Sequence, residues 1–244
     1  MGLPKVVSLP SPSFQNCGPC DVCEARELSF CSALEVGEIH HLARILTTIT
    51  AECGAVLYHE GDDAKHVYNV TSGCIKLHKM LPDGRLQIIG FMFEGDYLGM
   101  PQTPHYRSTA QAVDDVKLCR FRLNEFRTLA EEQPELGRRL FDMARTEIDA
   151  AGEQMLLLGR KTAKERLASF LLHLSEGQAR RGRPSNPVAL PMNRGDVADY
   201  LGLTIETVSR TFTAFRKSGL IDLPDKSHAF LKDPDGLLAI SENN

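Results

Sequence analysis

The chain has 244 residues, of which 42% are hydrophobic and 25% charged, and its formal net charge is −4. This composition is typical of a soluble globular protein with enough sequence for two domains. No apolar run approaches the roughly 20 residues that a membrane-spanning helix needs, and the proline-broken first residues do not match a signal peptide, so we expect a cytoplasmic protein.

The N-terminal segment, residues 1–34, is rich in cysteine and contains the stretch CGPCDVCEARELSFC. Cys-Gly-Pro-Cys alone is typical of a thioredoxin-like redox site, but that site needs a preceding strand and a βαβ unit, and the sequence offers neither. In a reducing compartment, closely spaced thiolates favour metal ligation over disulfides. The segment therefore indicates metal binding.

A helix followed by short strands is predicted for residues 35–132. Five apolar residues recur at helical spacing: Ile39, Leu42, Ile45, Leu46 and Ile49. They predict a helix over Glu35–Ile49. Runs rich in Val, Ile, Tyr and Phe then alternate with glycine-bearing turns, which predicts an antiparallel barrel or jelly roll. Cys53 and Cys74 lie in these strand-like surroundings and are expected to be small core residues.

Residues 133–159 predict a long helix that begins at Pro134 and carries an apolar seam. The seam is too long for a small barrel to cover, so it favours a parallel dimer, with a helix lying on the barrel face as the alternative. The predicted interface consists of Leu136, Leu140, Met143, Ile148, Ala151, Met155 and Leu158.

Residues 160–244 carry thirteen Lys and Arg against ten Asp and Glu, whereas the rest of the chain is acidic. This asymmetry indicates a polyanionic partner for the C-terminal part. Asn193 and Thr204 are placed as N-caps of two short helices, with Gly202 in the turn between them. This pattern predicts a helix-turn-helix whose second helix enters the major groove, followed by a two-stranded wing.

The second of these helices has a predicted outer face. Burial of Val208, Phe212 and Phe215 leaves an acid, hydroxyls and an arginine exposed, and these groups can read cytosine and guanine edges. Basic residues at the end of the helix would meet phosphates. The predicted DNA-contacting residues are Glu206, Thr207, Ser209, Arg210, Arg216 and Lys217. A helical hairpin with a solvated charged face is the alternative.

The barrel, long helix and helix-turn-helix together resemble the CRP/FNR family of bacterial transcription regulators. LTIETVSRTFTAFRKSGLI is similar to the family's recognition helix, and MLLLGRKTAKERLASFLLHLS resembles its hinge. The resemblance implies a homodimeric regulator, not an enzyme, that reads a TTGAT-type half-site in double-stranded DNA through Glu206, Ser209 and Arg210. The hairpin Pro82–Arg85 resembles the loop that contacts RNA polymerase. The implied fold class is α+β.

The cysteines resemble those of the FNR branch, which binds a [4Fe–4S] cluster through three N-terminal ligands and one from the barrel. Cys20-x₂-Cys23-x₇-Cys31 matches the spacing of one subgroup, and Cys119 stands at the barrel position. A set that uses Cys17 in place of Cys23 is the alternative. The resemblance implies oxygen sensing. The spacing of Cys23 and Cys31, eight residues apart, predicts a flexible loop between them that can fold back onto the cluster. Ala151 replaces an aspartate common in the family, which leaves the oxygen dependence of dimerisation open.

Two other effectors stay open. Arg107-Ser108 resembles the pair that holds the phosphate of a cyclic nucleotide in the CRP branch, although Gly95-Asp96 departs from that branch's Gly-Glu. A zinc-stabilised DNA-binding protein would use the same thiolates without sensing. In every case the expected domains are residues 1–34, 35–132, 133–159 and 160–244.

Overall fold

The computed structural model describes residues 6–8, 20, 22–99 and 104–242. The chain divides into two compact units, Met1–Glu147 and Ile148–Asn244. No helix in the described part combines the length and apolar character required to cross a bilayer. The expected domain boundary at residue 160 stays a prediction.

The first unit contains two antiparallel sheets. In chain order the strands are β1 (Val6–Ser8), β2 (Leu46–Ala51), β3 (Val56–Tyr58), β4 (His66–Ser72), β5 (Ile75–Met80), β6 (Leu86–Met92), β7 (Tyr97–Leu98), β8 (Thr109–Ala112) and β9 (Val116–Arg122). One sheet has the order β1-β2-β9-β4-β7 and the other β3-β8-β5-β6. The predicted antiparallel jelly-roll architecture is confirmed, as an open sandwich of two sheets rather than a closed barrel.

Helices of the first unit flank the five-stranded sheet. They are a 3₁₀ turn (Phe30–Ala33), α1 (Val36–Ile45), α2 (Leu123–Glu132) and the start of α3 (Pro134–Arg160). The predicted helix through Ile49 is wrong beyond Ile45, because β2 begins at Leu46. The β-branched run after Leu46 packs well on a pleated surface and loses side-chain freedom in a helix.

Both faces of the five-stranded sheet are covered, which explains why Leu46 and Ile49 are buried although they point to opposite sides. On the face that carries Cys119, the Phe30 ring packs edge-on against Phe121 at 5.8 Å and Phe126 at 5.1 Å. Edge-to-face pairs of this kind add to the burial energy of the rings. The cysteine segment is thereby anchored beside β9.

The second unit contains the rest of α3 and the C-terminal elements. These are α4 (Ala163–Arg180), β10 (Val188–Ala189), α5 (Arg194–Leu201), α6 (Ile205–Lys217), β11 (Ile221–Asp222), β12 (His228–Leu231) and α7 (Pro234–Glu242). The wing is a three-stranded sheet of order β10-β12-β11. The two-stranded prediction missed β10, which pairs from a distant loop. It also missed α7, which begins at Pro234, a residue suited to the first helical position.

Candidate functional site

The helix-turn-helix is set by local hydrogen bonds at its helix ends. The Asn193 side chain accepts from the Asp196 amide at 3.0 Å, and the Asp196 carboxylate accepts from the Asn193 amide at 3.1 Å. Gly202 ends α5 in the left-handed region at φ 62°, which favours glycine. Thr204 then caps α6 by accepting from the Thr207 amide at 3.2 Å. The prediction of a helix-turn-helix is confirmed.

The inner face of α6 is apolar and holds α5 in place. Val208, Phe212 and Phe215 are buried as predicted. The Arg194 guanidinium carbon lies 3.4 Å from the centre of the Phe212 ring, and burial lowers the pKa of Arg194. This cation–π contact clamps the first turn of α5 onto α6. Arg194 was not predicted, because the contact joins residues from two helices.

The outer face of α6 carries the predicted DNA-contacting residues. Glu206, Ser209, Arg210, Arg216 and Lys217 are exposed, and Thr207 is half-buried. A shallow groove on this face is lined by Ser209, Arg210, Thr213, Ala214 and Lys217. Hydrogen bonds from its own backbone amide and from Thr204, together with the nearby Arg210, hold the pKa of Glu206 below its usual range. The face therefore presents an ionised acceptor beside a cation.

The cysteine segment is compact where the sequence predicted a flexible loop. Ser29 is fully buried; its hydroxyl donates to the Arg26 carbonyl at 3.1 Å and accepts from the Cys31 amide at 3.2 Å. The Arg26 guanidinium donates to the Leu34 carbonyl at 2.9 Å. These bonds give the path between Cys23 and Cys31 a defined conformation, and the flexibility of this stretch stays a prediction.

Four predicted ligands lie in one neighbourhood. Burial raises the pKa of Cys31 to about 12; the Ser29 hydrogen bond opposes this, and Cys20 and Cys23 add to it. Burial also raises the pKa of Cys119, with further increases from Cys31, Cys23 and Cys20. These thiols are therefore close enough to affect one another's pKa, but among the described residues no three His, Cys, Asp or Glu side chains are arranged as a set that could hold a metal ion.

The other cysteines differ from these four. Cys17 lies outside the described residues, so its role as an alternative ligand stays a prediction. Cys74 is buried as expected. Cys53 is exposed, and its thiol donates to the Val113 carbonyl at 3.0 Å. The prediction that Cys53 is a core residue is therefore wrong, since it sits in the turn after β2 rather than in the strand.

The cysteine segment also touches α3. The Arg139 guanidinium contacts the Leu28 carbonyl oxygen at 3.5 Å. Leu28 lies against Gly95, whose φ of +92° is in the left-handed region, and a Cβ there would lie 2.5 Å from the Leu28 Cβ. The segment is thus seated closely between the turn before β7 and the start of α3.

The predicted dimer seam of α3 consists of two different stripes. Leu136 is fully buried in its own protomer, and Leu140 and Met143 pack against the same core. The assignment of Leu136 to the dimer interface is wrong, because it has no surface left for a partner. Ile148 and Met155 are each 70% exposed. Ala151 is exposed, and Leu158 is half-buried.

Phe141 belongs to the exposed stripe, although it was not predicted. It is 65% exposed and stands seven residues before Ile148, which stands seven before Met155. A seven-residue apolar repeat on an exposed helix face is the pattern of a two-stranded coiled coil. Phe141, Ile148 and Met155 therefore form one exposed apolar stripe on α3, which begins at Phe141.

The end of α3 is bound to the helix-turn-helix within the second unit. The Arg166 guanidinium donates to the Leu158, Lys161 and Leu201 carbonyls at 2.9, 2.8 and 2.8 Å. The Gln154 amide donates to the Tyr200 carbonyl at 3.0 Å. These four hydrogen bonds link the last turns of α3 to the end of α5.

The pair Arg107-Ser108, which was predicted to hold a nucleotide phosphate, lies next to a group of buried tyrosine rings. Arg107 is exposed and Ser108 is buried, while Met100–Thr103 lie outside the described residues. Tyr58 and Tyr106 stack with ring centres 3.7 Å apart, and Tyr68 lies 5.9 Å from Tyr58. These three buried rings occupy the space between the two sheets.

Comparison with known proteins agrees with this architecture. Residues 165–240 match the model of the Crp-like helix-turn-helix domain, and residues 48–133 match that of the cyclic nucleotide-binding domain. The chain is 41% identical over 202 residues to the nitrogen fixation regulation protein FixK of Bradyrhizobium diazoefficiens, covering 83% of this chain and 85% of that protein. It is 37% identical over 224 residues to the transcriptional activator protein FnrL of Cereibacter sphaeroides, covering 89% and 88%.

Among solved structures, FixK2 from Bradyrhizobium japonicum superposes with a TM-score of 0.76 at 33% identity, over 80% of this chain and 97% of that one. The fold and its helix-turn-helix define a DNA-binding transcription regulator rather than an enzyme. The identity and coverage of the relatives are more specific. The chain belongs to the CRP/FNR family.

Proposed function

We propose that this regulator senses dioxygen through a [4Fe–4S] cluster held by Cys20, Cys23, Cys31 and Cys119. With the cluster intact, it binds a TTGAT-type palindrome as a homodimer. The observation that carries the proposal is the convergence of three thiols from the N-terminal segment with one from β9, beside the start of α3. Four cysteine thiolates are the usual ligands of such a cluster.

The surroundings of the thiols suit an anionic cluster. Burial raises the pKa of the Cys31 thiol to about 12, and binding of a metal cation would favour the thiolate instead. The Arg26 guanidinium lowers that pKa, and its Nε atom is buried without a hydrogen-bond partner among the described residues. A half-buried cation next to the thiols compensates part of the negative charge that four thiolates would bring.

The cysteine segment can transmit the state of the site to α3. Arg139 reaches the Leu28 carbonyl from the second turn of α3, and Leu28 is seated on Gly95. When bound, a cluster supplies a cross-link between the segment and β9 that dioxygen degrades. Without that cross-link the segment is held by its packing and its hydrogen bonds alone, and the long Arg139 contact loosens. The equilibrium then shifts away from the arrangement of α3 that dimerises.

We expect the helix-turn-helix to move together with the end of α3, because hydrogen bonds join the two. Arg166 and Gln154 fix the end of α5 to the last turns of α3. In a dimer through α3, two recognition helices have to stand roughly 34 Å apart to enter successive turns of the major groove. A change in how two α3 helices pair therefore changes the affinity for a palindrome.

Anaerobic purification followed by an absorption spectrum tests the proposal. We expect a brown protein with about four iron and four sulfide per chain that bleaches in air, and that shifts a TTGAT palindrome only before bleaching. A colourless protein that contains zinc and binds DNA equally in air would contradict oxygen sensing and support the zinc alternative.

A cyclic nucleotide is the second candidate effector, because residues 48–133 match the cyclic nucleotide-binding domain and contain Arg107-Ser108. The stacked Tyr58 and Tyr106 rings weigh against it, since they fill the space between the sheets next to that pair. Cyclic AMP is added to protein that contains no cluster, in the same DNA-binding assay. Binding that depends on cyclic AMP would favour the nucleotide over the cluster as the effector.

We further infer that the protein activates transcription through contact with RNA polymerase. The hairpin between β5 and β6 is exposed at Pro82–Arg85, where Asp83 and Arg85 form an ion pair at 2.8 Å. This exposed tip suits a protein contact. FnrL, one of the similar proteins, is a transcriptional activator by name.

Replacing Arg210 with alanine is expected to weaken binding to the palindrome by about 1–3 kcal/mol and to relax the preference at one base pair of each half-site, because a bidentate arginine–guanine contact is lost. The measurement is a titration against the palindrome and against each single-base variant. Lys217→Ala is the control on the same groove, and we expect it to weaken all sequences equally. Equal weakening by Arg210→Ala would make Arg210 a phosphate contact.

A further inference from the structure

Arg166 holds the ends of two helices, and the turn between α3 and α4, with a single side chain. It lies in the first turn of α4 and is half-buried. Its Nε atom donates to the Lys161 carbonyl, and its two terminal nitrogens donate to the Leu158 and Leu201 carbonyls. Leu158 belongs to the last turn of α3, and Leu201 is the last residue of α5. One planar guanidinium therefore joins three helices.

The acceptors explain why an arginine suits this position. The last four carbonyls of a helix have no partner within the helix and carry the negative end of its dipole. Such carbonyls of α3 and of α5 meet at Arg166, and both accept from the same cation. A guanidinium presents its N–H groups in a rigid, planar fork, whereas a lysine ammonium is a point charge on a flexible stem. A lysine here would keep the charge but would not fix the geometry of two helix ends.

Two further contacts hold the end of α5 against α3. The Gln154 side chain donates to the Tyr200 carbonyl at 3.0 Å, about one helical turn before Leu158. Gly202 follows α5, and a Cβ there would lie 3.3 Å from Leu158 Cδ2 and 3.4 Å from Arg166 Nη1. The end of α5 is therefore held at two successive turns of α3, which fixes both its position and its direction.

The exposed apolar stripe lies on the same part of α3. Met155 directly follows Gln154, and Ile148 lies about two turns before Met155. These residues, Arg166 and the helix-turn-helix all belong to the compact unit Ile148–Asn244. In a dimer that pairs through this stripe, the distance between the two recognition helices depends on how each α5 is fixed to its own α3. The hydrogen bonds of Arg166 therefore connect the dimer helix to the DNA-reading element.

We propose that Arg166 is a positioning residue that sets the spacing of the two half-sites, and this inference rests on the homodimeric binding of a palindrome proposed above. Half-sites one DNA turn apart are separated by about 34 Å, so one added base pair shifts a half-site by roughly 3.4 Å and rotates it by about a tenth of a turn. A rigid connection between α3 and the helix-turn-helix does not accommodate that displacement. A loose connection accommodates it but loses part of the advantage of two linked contacts. Arg166 thereby makes the regulator selective for spacing without contacting a base.

The test compares Arg166→Lys with the wild type under anaerobic conditions. The DNA duplexes are the palindrome, the palindrome with one base pair added or removed between the half-sites, and a single half-site. For the wild type, we expect a changed spacing to remove most of the roughly 10²–10⁴-fold advantage of the palindrome over the half-site. For Arg166→Lys, we expect about tenfold weaker binding at the native spacing and nearly equal binding at all three spacings. Binding to the single half-site should stay unchanged, because the helix-turn-helix keeps its own caps and core.

Lys164→Ala is the matched control, because it removes an exposed cation from the same turn of α4. It should keep the wild-type discrimination between spacings. Gln154→Leu removes the hydrogen bond to the Tyr200 carbonyl and should loosen the discrimination less than Arg166→Lys does. It also provides the same test if Arg166→Lys does not fold.

Equal discrimination between spacings by Arg166→Lys and the wild type would overturn the proposed role. A loss of half-site binding equal to the loss of palindrome binding would make Arg166 a residue that only stabilises the helix-turn-helix. A wild type that binds the palindrome no better than the half-site would refute the homodimeric binding proposed above, and this inference with it.

Discussion

Replacing Cys119 with serine is expected to abolish cluster assembly and, with it, oxygen-dependent binding to the palindrome. Of the proposed ligands, Cys119 is the one that comes from a paired strand, held between β2 and β4. A serine hydroxyl does not ionise near neutral pH and is a poor ligand for iron, so the link between the segment and the sheet is lost. Iron and acid-labile sulfide after anaerobic reconstitution are the measurement, and both should fall to background.

The remaining cysteines define the controls. Cys23→Ser should have the same effect as Cys119→Ser, whereas Cys53→Ser removes an exposed thiol far from the site in sequence and should retain full iron content. Cys17→Ser is expected to retain the cluster. Loss in Cys17→Ser with retention in Cys23→Ser would favour the alternative ligand set. Retention of the cluster in Cys119→Ser would be more damaging, because it would detach the cluster from β9.

The DNA-binding helices could be predicted from the sequence because their signals are local. Asn193 with Asp196, Gly202, and Thr204 each act within one helical turn, through a cap or a left-handed residue. Caps and left-handed residues of this kind can be predicted from the identities of a few neighbouring residues. The contact of Arg194 with Phe212 could not be predicted in this way. It joins two helices, and the residues next to Arg194 give no signal of it.

The surroundings of the thiols could be predicted only in part for the same reason. Spacing and resemblance identify the cysteines, but the position of Asn69 beside Cys119 depends on the register of two strands about fifty residues apart. A polar residue in a strand usually signals a solvent-facing side. Here the cysteine segment covers that side, so the usual interpretation fails at the candidate site.

The apolar residues of α3 show the limit of periodicity. Leu136, Leu140 and Met143 occur at helical spacing and were joined with later residues into one seam. The pattern identifies apolar faces, but it does not say what covers each face. The fully buried Leu136 belongs to the core of the protomer. The exposed heptad of Phe141, Ile148 and Met155 is a separate stripe, on which the dimer can be tested.

Replacing Ile148 with glutamate is expected to give a folded monomer that has lost most of its affinity for the palindrome. Ile148 is 70% exposed, so a charge there should change the free energy of unfolding by no more than about 0.5 kcal/mol. In a parallel pair of α3 helices the same substitution places two carboxylates against each other in an apolar seam, which strongly disfavours association. Sedimentation under anaerobic conditions measures the dimer.

The effect on DNA follows from bivalency. Two linked half-site contacts exceed the affinity of one by about 10²–10⁴-fold, so the monomer should bind the palindrome no better than a single half-site. Leu156→Glu is the matched control, since Leu156 is 56% exposed on the same helix but lies one residue off the heptad stripe. It should remain dimeric. If Ile148→Glu sediments as a dimer while Leu156→Glu does not, the two chains pair through a different face of α3.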